Sequence, residues 1–352
     1  MRVALVALET SHLADTPGNR RFDRVARGLA DRGHDVTVFC AQWWRGVETE
    51  RIVDGVRYAP VTIGRQPPTF CAKLPAVLAR HRPDVIHARP VPPGQVVAAG
   101  IGRQLARSPL VVDVFGDEEI GDGRVARRAV TTPDCLVTPS ELVRTQVRRM
   151  GAADDDTGVV PESIDFGRIG SVEPASDVDV AYAHRLDASA NLGDLLLGLA
   201  ELRDRDWSAR IVGDGPRRST YERQAADLRI DDRVEFVGEC DRERRISIYR
   251  GAHAFVQTAT REYFATELLW ALACGCLGIV EYQARSSAHE LIENYDRSFR
   301  VTDPQQLADA IVDCGSHERH RIDDRWADYD HRAVAEQYVR TYRELVSEFG
   351  LL

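Results

Sequence analysis

The 352-residue sequence predicts two successive α/β domains built on parallel sheets, on three observations. Short apolar runs of the buried-strand kind alternate with segments of helical spacing along the whole chain. The length accommodates two domains of ordinary size, each with its own core. Between two such series lies Gly170 to Asp177, whose Gly, Ser and Pro content is that of a connector.

The first series opens with Arg2-Val3-Ala4-Leu5-Val6-Ala7-Leu8, a fully apolar strand. A polar loop from Glu9 to Asn19 follows, holding Pro17-Gly18-Asn19. Phe22, Val25, Ala26 and Leu29 then recur at helical spacing to Arg32, where Gly33 ends the helix. Val36–Phe39 and Val56–Val61 read as strands, the Pro-rich Gln66-Pro67-Pro68 as loop, and Lys73–His81 as helix. Val85-Ile86 is a strand running into a loop at His87, and Gln95–Arg107 is a helix. Leu110–Val114 and Cys135–Thr138 are strands, and Ser140–Met150 is a helix. The change of domain is expected near residues 165–178.

The second series repeats the alternation. Strands are predicted at Asp179–Ala183, Arg210–Val212, Val234–Gly238, Ala254–Thr258 and from Ile279. Helices are predicted at Leu192–Leu202, Tyr221–Leu228, Glu243–Arg250, Thr266–Cys274 and His331–Phe349. Domains are therefore expected at 1–168 and 178–330, with 331–352 a closing helix.

Composition narrows the function classes. A content of 43% hydrophobic and 29% charged residues is that of a soluble globular chain. No apolar run approaches the roughly 20 residues that span a bilayer, and the first ten residues read as a strand rather than a leader. A cytoplasmic protein is expected. The net charge of −9 argues against nucleic acid as a partner. That charge is uneven: residues 1–170 carry +2 and the rest −11. Arg124, Arg127 and Arg128, like Arg144, Arg148 and Arg149, read first as solvated helix faces. An anionic membrane surface or a phosphorylated acceptor is the alternative partner for them. Seven cysteines without a C-x-x-C spacing, and Cys274 and Cys276 flanking one glycine, point to reduced thiols. Asp154-Asp155-Asp156 reads as a solvated loop, so no metal is expected. A single lysine, Lys73, against many arginines suggests a GC-rich, salt-loving source.

Several segments, in the right order, resemble the retaining glycosyltransferases of family 4 (glycosyl transferases group 1). They are Arg32-Gly33-His34 before Val36-Thr37-Val38, Val159–Asp165, Arg185-Leu186, Val212-Gly213-Asp214-Gly215-Pro216, and Arg261 to Gly275. In the last, Glu262, Phe264, Leu269, Ala271, Ala273 and Gly275 match the family's acidic loop and helix. The resemblance implies the GT-B architecture, two Rossmann-like parallel-sheet domains facing across a cleft. It places acceptor recognition in the first, nucleotide-sugar recognition in the second, and a final helix that crosses back. The implied activity is transfer of a hexose from a nucleoside diphosphate sugar, with retention, to a glycan or lipid-linked acceptor. A peripheral contact with the inner face of the cell membrane and no cofactor are implied as well.

Carried over residue by residue, the resemblance makes Arg185 the clamp on the leaving diphosphate and Glu262 the acceptor of sugar hydroxyls. Such a transfer needs charge stabilisation more than a nucleophile. Tyr263, Phe264, Ala265 and Thr266 would offer amides to phosphate at a helix start. Gly18 would lie near the donor phosphate, and His12 and His87 would be acceptor-side or auxiliary contacts. Three positions depart from the family: Trp270 replaces its second glutamate, Ala190 its lysine, and Phe115 its histidine. Glu267, three residues before Trp270, is the candidate substitute for the glutamate. Losing a charged donor to a diphosphate costs about 1.5–3 kcal/mol. A non-catalytic GT-B scaffold or partner subunit is therefore the alternative reading. A sugar-nucleotide epimerase of the same architecture is a third and fits the acidic loop less well.

Overall fold

The computed structural model describes residues 1–176 and 178–350. The chain forms two compact units: Met1–Glu162 together with the segment from His331, and Ser163–Asp330. Asp177 of the connector and residues 351–352 of the closing segment lie outside the described residues.

In the first unit the order is β1 (Arg2–Val6), α1 (Pro17–Ala30), β2 (Asp35–Gln42), β3 (Arg51–Val53), β4 (Val56–Ile63), α2 (Pro67–His81) and β5 (Val85–Ala88). It continues through α3 (Pro93–Ala106), β6 (Leu110–Asp113), α4 (Arg124–Thr131), β7 (Cys135–Thr138), α5 (Glu141–Arg149) and β8 (Thr157–Val159). The eight strands lie in the order β3-β4-β2-β1-β5-β6-β7-β8, parallel except for the β3–β4 hairpin. Two helices start earlier than the residue pattern predicts. Pro17 and Pro67 occupy first-turn positions, where a missing N–H costs nothing, and Thr16 caps α1 by accepting from the Asn19 amide. Both proline stretches therefore belong to helices rather than loops.

The second unit begins with one turn, α6 (Phe166–Ile169), before β9 (Val180–Ala183), α7 (Leu192–Glu201), β10 (Ala209–Val212), α8 (Arg218–Asp227) and β11 (Val234–Gly238). Then come α9 (Arg242–Gly251), β12 (Ala254–Gln257), α10 (Thr266–Ala273), β13 (Leu277–Glu281), α11 (Ala288–Ile292), β14 (Ser298–Val301) and α12 (Pro304–Cys314). The sheet is wholly parallel in the order β11-β10-β9-β12-β13-β14. That is the doubly wound Rossmann order, which reverses between β9 and β12. Val180, Tyr182, Leu195, Leu199, Ile211, Val256, Ile279 and Leu307 form its core. The change of unit precedes the expected window, because residues 163–166 are already paired within the second unit. The Ile164 amide donates to the Tyr329 carbonyl and the Phe166 amide to Asp330.

The last helix, α13 (His331–Phe349), packs on α1 in the first unit, where Gly28 lets Ala335 approach to van der Waals contact. A buried arginine on α1 fastens it. Arg21 donates from Nε to Asp113 at 3.0 Å, from Nη1 to the Pro161 carbonyl at 2.9 Å and Glu162 at 3.1 Å. Its Nη2 donates to the Val160 carbonyl and to the Tyr338 hydroxyl, both at 2.6 Å. All five N–H groups are thus used. Tyr338 in turn donates to Asp113, and Arg24 pairs with Glu162. Burial favours the neutral guanidinium, but Asp113, Tyr338 and Glu162 outweigh it and push Arg21 upward. Removing one partner of so enclosed a set strands the others without water. Arg21→Met is expected to lower unfolding free energy by about 3–5 kcal/mol in urea titration, and Tyr338→Phe by about 1–3 kcal/mol.

Candidate functional site

Where a parallel sheet reverses its strand order, the two flanking loops leave in opposite directions and open a crevice at the carboxyl ends. In the second unit those loops follow β9 and β12 and carry Arg185 and Glu262 respectively. The loops are held to one another. The Thr258 hydroxyl donates to the Ala190 carbonyl at 3.0 Å, and the Thr260 amide to the Ser189 carbonyl at 2.8 Å. Glu262 is also tied to the loop after β13, its amide donating to Arg285 and its carbonyl accepting from Ser287. From the β10 side Gly213 presses in at φ +120°, and a Cβ there would lie 2.1 Å from the His184 carbonyl oxygen. Gly215 meets Leu186 in the same way. The Val-Gly-Asp-Gly run is therefore a backbone-to-backbone seat for the β9 loop.

Arg185 lies open to solvent, its side chain 72% exposed, with Asp187 at 3.5 Å. Asp187 is itself oriented by the Ser189 amide and hydroxyl. Between Arg185 and Glu262 stands His184, to which the sequence assigns no role beyond flanking Arg185. Its Nε2 lies 3.2 Å from Glu262 Oε1 and its Nδ1 2.7 Å from the Arg185 carbonyl. Burial pulls this imidazole downward, but the hydrogen bond to Glu262 and its charge outweigh that, and the net shift is upward. Three further arginines occupy carboxyl-end loops: Arg217 after β10, Arg261 after β12 and Arg285 after β13. All three are exposed, and among the described residues none has an ion-pair partner. Phe264 and Ala265 are buried, Tyr263 is half-buried, and Thr266 starts α10 with no side-chain cap from Ala265.

Glu267, the candidate substitute for the family's glutamate, is engaged by protein groups. Arg242 grips it bidentately at 2.9 and 3.0 Å, Arg245 adds a bond at 2.9 Å, and the Tyr249 hydroxyl donates at 2.6 Å. Burial alone would raise its carboxyl; Arg242 and Arg245 pull it below the usual range. Arg242 also lies over the Trp270 ring at 4.9 Å. The position of the family's second glutamate is thus closed by an α9–α10 brace. Ala190 faces the core, and Asn191 after it donates to Asp194 at 2.8 Å and Glu281 at 3.1 Å. Burial and the adjoining Asp194 carboxylate push Glu281 up to about 7.

In the first unit two expectations need correction. His87 lies inside β5, fully buried, bonded through Nδ1 to the Tyr342 hydroxyl at 2.6 Å and packed edge-on against Phe22. Burial drives it down to about 4, so it is a neutral core residue rather than a loop contact. Gly18 belongs to the first turn of α1, and the space above it is filled by Arg89, whose Nη2 would lie 2.2 Å from an added Cβ. It makes room for Arg89, itself paired with Glu118 at 2.7 Å. His12 is exposed in the loop after β1 and stacks on Trp43 at 3.9 Å. Phe115 is buried, and its amide donates to Glu118. A cavity of about 320 Å³ adjoins the carboxyl ends of β1 and β5, lined by Leu8, Glu9, Asn19, Arg89, Val91 and Asp117 among others. Among the described residues no group of three or more His, Cys, Asp and Glu is placed to hold a metal ion. All seven cysteines are unpaired thiols.

Two expectations follow. Glu267→Ala strands two arginines, so it should lower stability by about 2–3 kcal/mol in denaturant titration, with no selective loss of ligand affinity. Glu281, raised in the fold, contributes its protonated stability fully below the ordinary carboxyl range and loses it as pH climbs through about 7. Glu281→Gln should therefore raise the melting temperature at pH 8 and leave it unchanged near pH 4.

Comparison with known proteins places this geometry in a family. Residues 18–162 match the glycosyl transferase 4-like domain, and residues 166–327 match glycosyl transferases group 1. No curated protein matches the sequence. Among solved structures, a sucrose-phosphate synthase from Thermosynechococcus elongatus is similar over 99% of both chains, at 18% identity and a TM-score of 0.70. A glycosyltransferase from Rickettsia africae is similar over 98% of both, at 14% identity and a TM-score of 0.75. Anabaena HepE in complex with UDP is similar over the full length of both, at 17% identity and a TM-score of 0.68. At such identities the likeness is one of fold, and the fold is that of the GT-B glycosyltransferases. The chain belongs to the group 1 glycosyl transferases, with a 4-like domain in its first unit and the group 1 domain in its second.

Proposed function

We propose that this glycosyltransferase moves a hexose from a nucleoside diphosphate sugar, with retention, to a glycan or lipid-linked acceptor. The observation that carries the reading is the pairing of Arg185 and Glu262 on the two loops that flank the β9–β12 reversal. A departing diphosphate gathers negative charge, and a guanidinium whose one ion-pair partner among the described residues is Asp187, at 3.5 Å, is ready to meet it. Arg217, Arg261 and Arg285 on neighbouring loops give the same edge a positive rim that compensates for Ala190. Glu262, pinned by backbone bonds on both sides, is a fixed acceptor for sugar hydroxyls. The amide-rich start of α10 adds donors for phosphate. Anabaena HepE, of similar fold, is solved with UDP and with UDP-glucose, which supports a nucleotide sugar as the ligand.

In the retaining transfer the C1–oxygen bond to the diphosphate breaks while the acceptor oxygen bonds C1 on the same face. The leaving phosphate oxygen takes the acceptor proton. No protein nucleophile is required, which suits a site rimmed by several guanidinium groups. No metal or cofactor is invoked. The acceptor is assigned to the first unit, where His12 and the cavity beside β1 and β5 offer polar contacts. Among the described residues no helix is long and apolar enough to cross a membrane. A cytoplasmic enzyme that meets its acceptor at the membrane's inner face is the setting proposed.

The second reading, a scaffold without turnover, draws on the Glu267–Arg242–Trp270 brace, which fills the place of a ribose contact. Calorimetry with UDP-, GDP- and ADP-linked hexoses separates the two. Binding of at least one is expected, and no binding at millimolar concentration supports the scaffold. Arg185→Ala is expected to cut turnover at least about a hundredfold while the melting temperature stays unchanged. Wild-type turnover in that variant refutes the assignment.

A further inference from the structure

The roles assigned to Arg185 and Glu262 leave out His184, the residue that touches both. Its Nδ1 faces the Arg185 carbonyl at 2.7 Å and its Nε2 faces Glu262 Oε1 at 3.2 Å. Carbonyl and carboxylate oxygens only accept hydrogen bonds. Both contacts are therefore satisfied together only when both ring nitrogens carry a proton. A neutral ring would set a nitrogen lone pair against an oxygen at one of them. Glu262 shows the complementary asymmetry. His184 and Gln257, the latter at 3.4 Å, both meet Oε1, and among the described residues Oε2 has no hydrogen-bond partner.

We propose that His184 is a positioning residue: as an imidazolium it holds Oε1 of Glu262 so that Oε2 receives a hydroxyl of the donor sugar, and loss of its Nε2 proton weakens donor binding. The inference rests on the reading of this edge as the donor site. The charged groups facing the ring are Glu262 from the β12 loop and Asp187 from its own loop. From the turn after β10 the Gly213 backbone bears on the His184 backbone and adds no charge. Two carboxylates therefore face the ring, which favours the cation, and the upward shift of the ring agrees with it. The side chain is 13% exposed, enough to exchange its proton with solvent. Donor binding should then be strong on the acid side of neutrality and fall as pH rises.

The test has two arms, one independent of any donor. Nitrogen-15 NMR of the histidine rings is recorded against pH for wild type and Glu262→Gln. Both His184 nitrogens are expected to be protonated at pH 6, with a midpoint above the ordinary value of about 6.5 that drops in Glu262→Gln. The second arm measures affinity for the tightest of UDP-, GDP- and ADP-glucose across the same range. Wild type should lose about tenfold through the midpoint, the worth of one charged hydrogen bond. His184→Gln, whose amide donates to Oε1 at every pH, should stay flat. A ring that is neutral at pH 6 overturns the proposal, as does an equal pH slope in His184→Gln, while donor binding and the Arg185 assignment stand. Failure of all three compounds to bind wild type at pH 6 overturns the donor reading and this proposal with it.

Discussion

A parallel sheet leaves its ligands nowhere to sit except at its ends, and in the second unit one point on that edge is set apart. Strand order reverses between β9 and β12, so the two loops there cannot cover one another. Everything assigned to function follows from that constraint. It puts a guanidinium on one loop and a carboxylate on the next, with an imidazole between them. Gly213 and Gly215 tighten the arrangement, since their missing side chains let the β10 turn bear directly on the β9 loop. The resulting seat is backbone against backbone, which fixes His184 and Leu186 without spending a side chain on the task.

Both units surround a charged side chain with several partners. Arg21 spends every N–H on protein oxygens, and Glu267 receives four hydrogen bonds from three side chains. The two clusters serve opposite ends. Arg21 joins segments far apart in sequence, α1, β6 and α13, and makes them one body. Glu267 closes a place where the family carries a ligand-binding glutamate, so the brace trades a binding contact for a rigid α9–α10 junction. Arg185 lacks such enclosure, and its guanidinium stays open to solvent.

The strands were readable because buried parallel strands are continuous apolar runs, as in Arg2–Val6 and Val180–Ala183. Helix starts at Pro17 and Pro67 were not, since proline clusters suggest loops unless the first-turn exception is applied. His87 was misplaced because a polar residue at the end of Asp84-Val85-Ile86 looks like the start of a loop. Only the tyrosines of α13, some 250 residues later, reveal its burial. Helical spacing puts Glu267 on the face of Trp270, but its partners come from α9, and spacing within α10 says nothing of them. A signal for Arg21 did exist: it interrupts the apolar stripe of Phe22, Val25 and Leu29, and a charge on such a stripe must find enclosure. Arg185 and Glu262 stand out in the sequence through family resemblance alone, whereas the contact of His184 with Glu262 depends on a loop some 75 residues later.

The return of α13 to the first unit has a consequence for how the chain is made. Arg21 and Asp113 leave the ribosome early, while Tyr338 arrives only after the whole second unit has been synthesised. The first unit thus waits with part of its interior wet, one guanidinium short of its phenol, while the intervening segment can fold at once from contiguous residues. Ribosome-bound intermediates of this protein would be ordered in the middle of the chain and loose at its beginning, the reverse of simple vectorial folding.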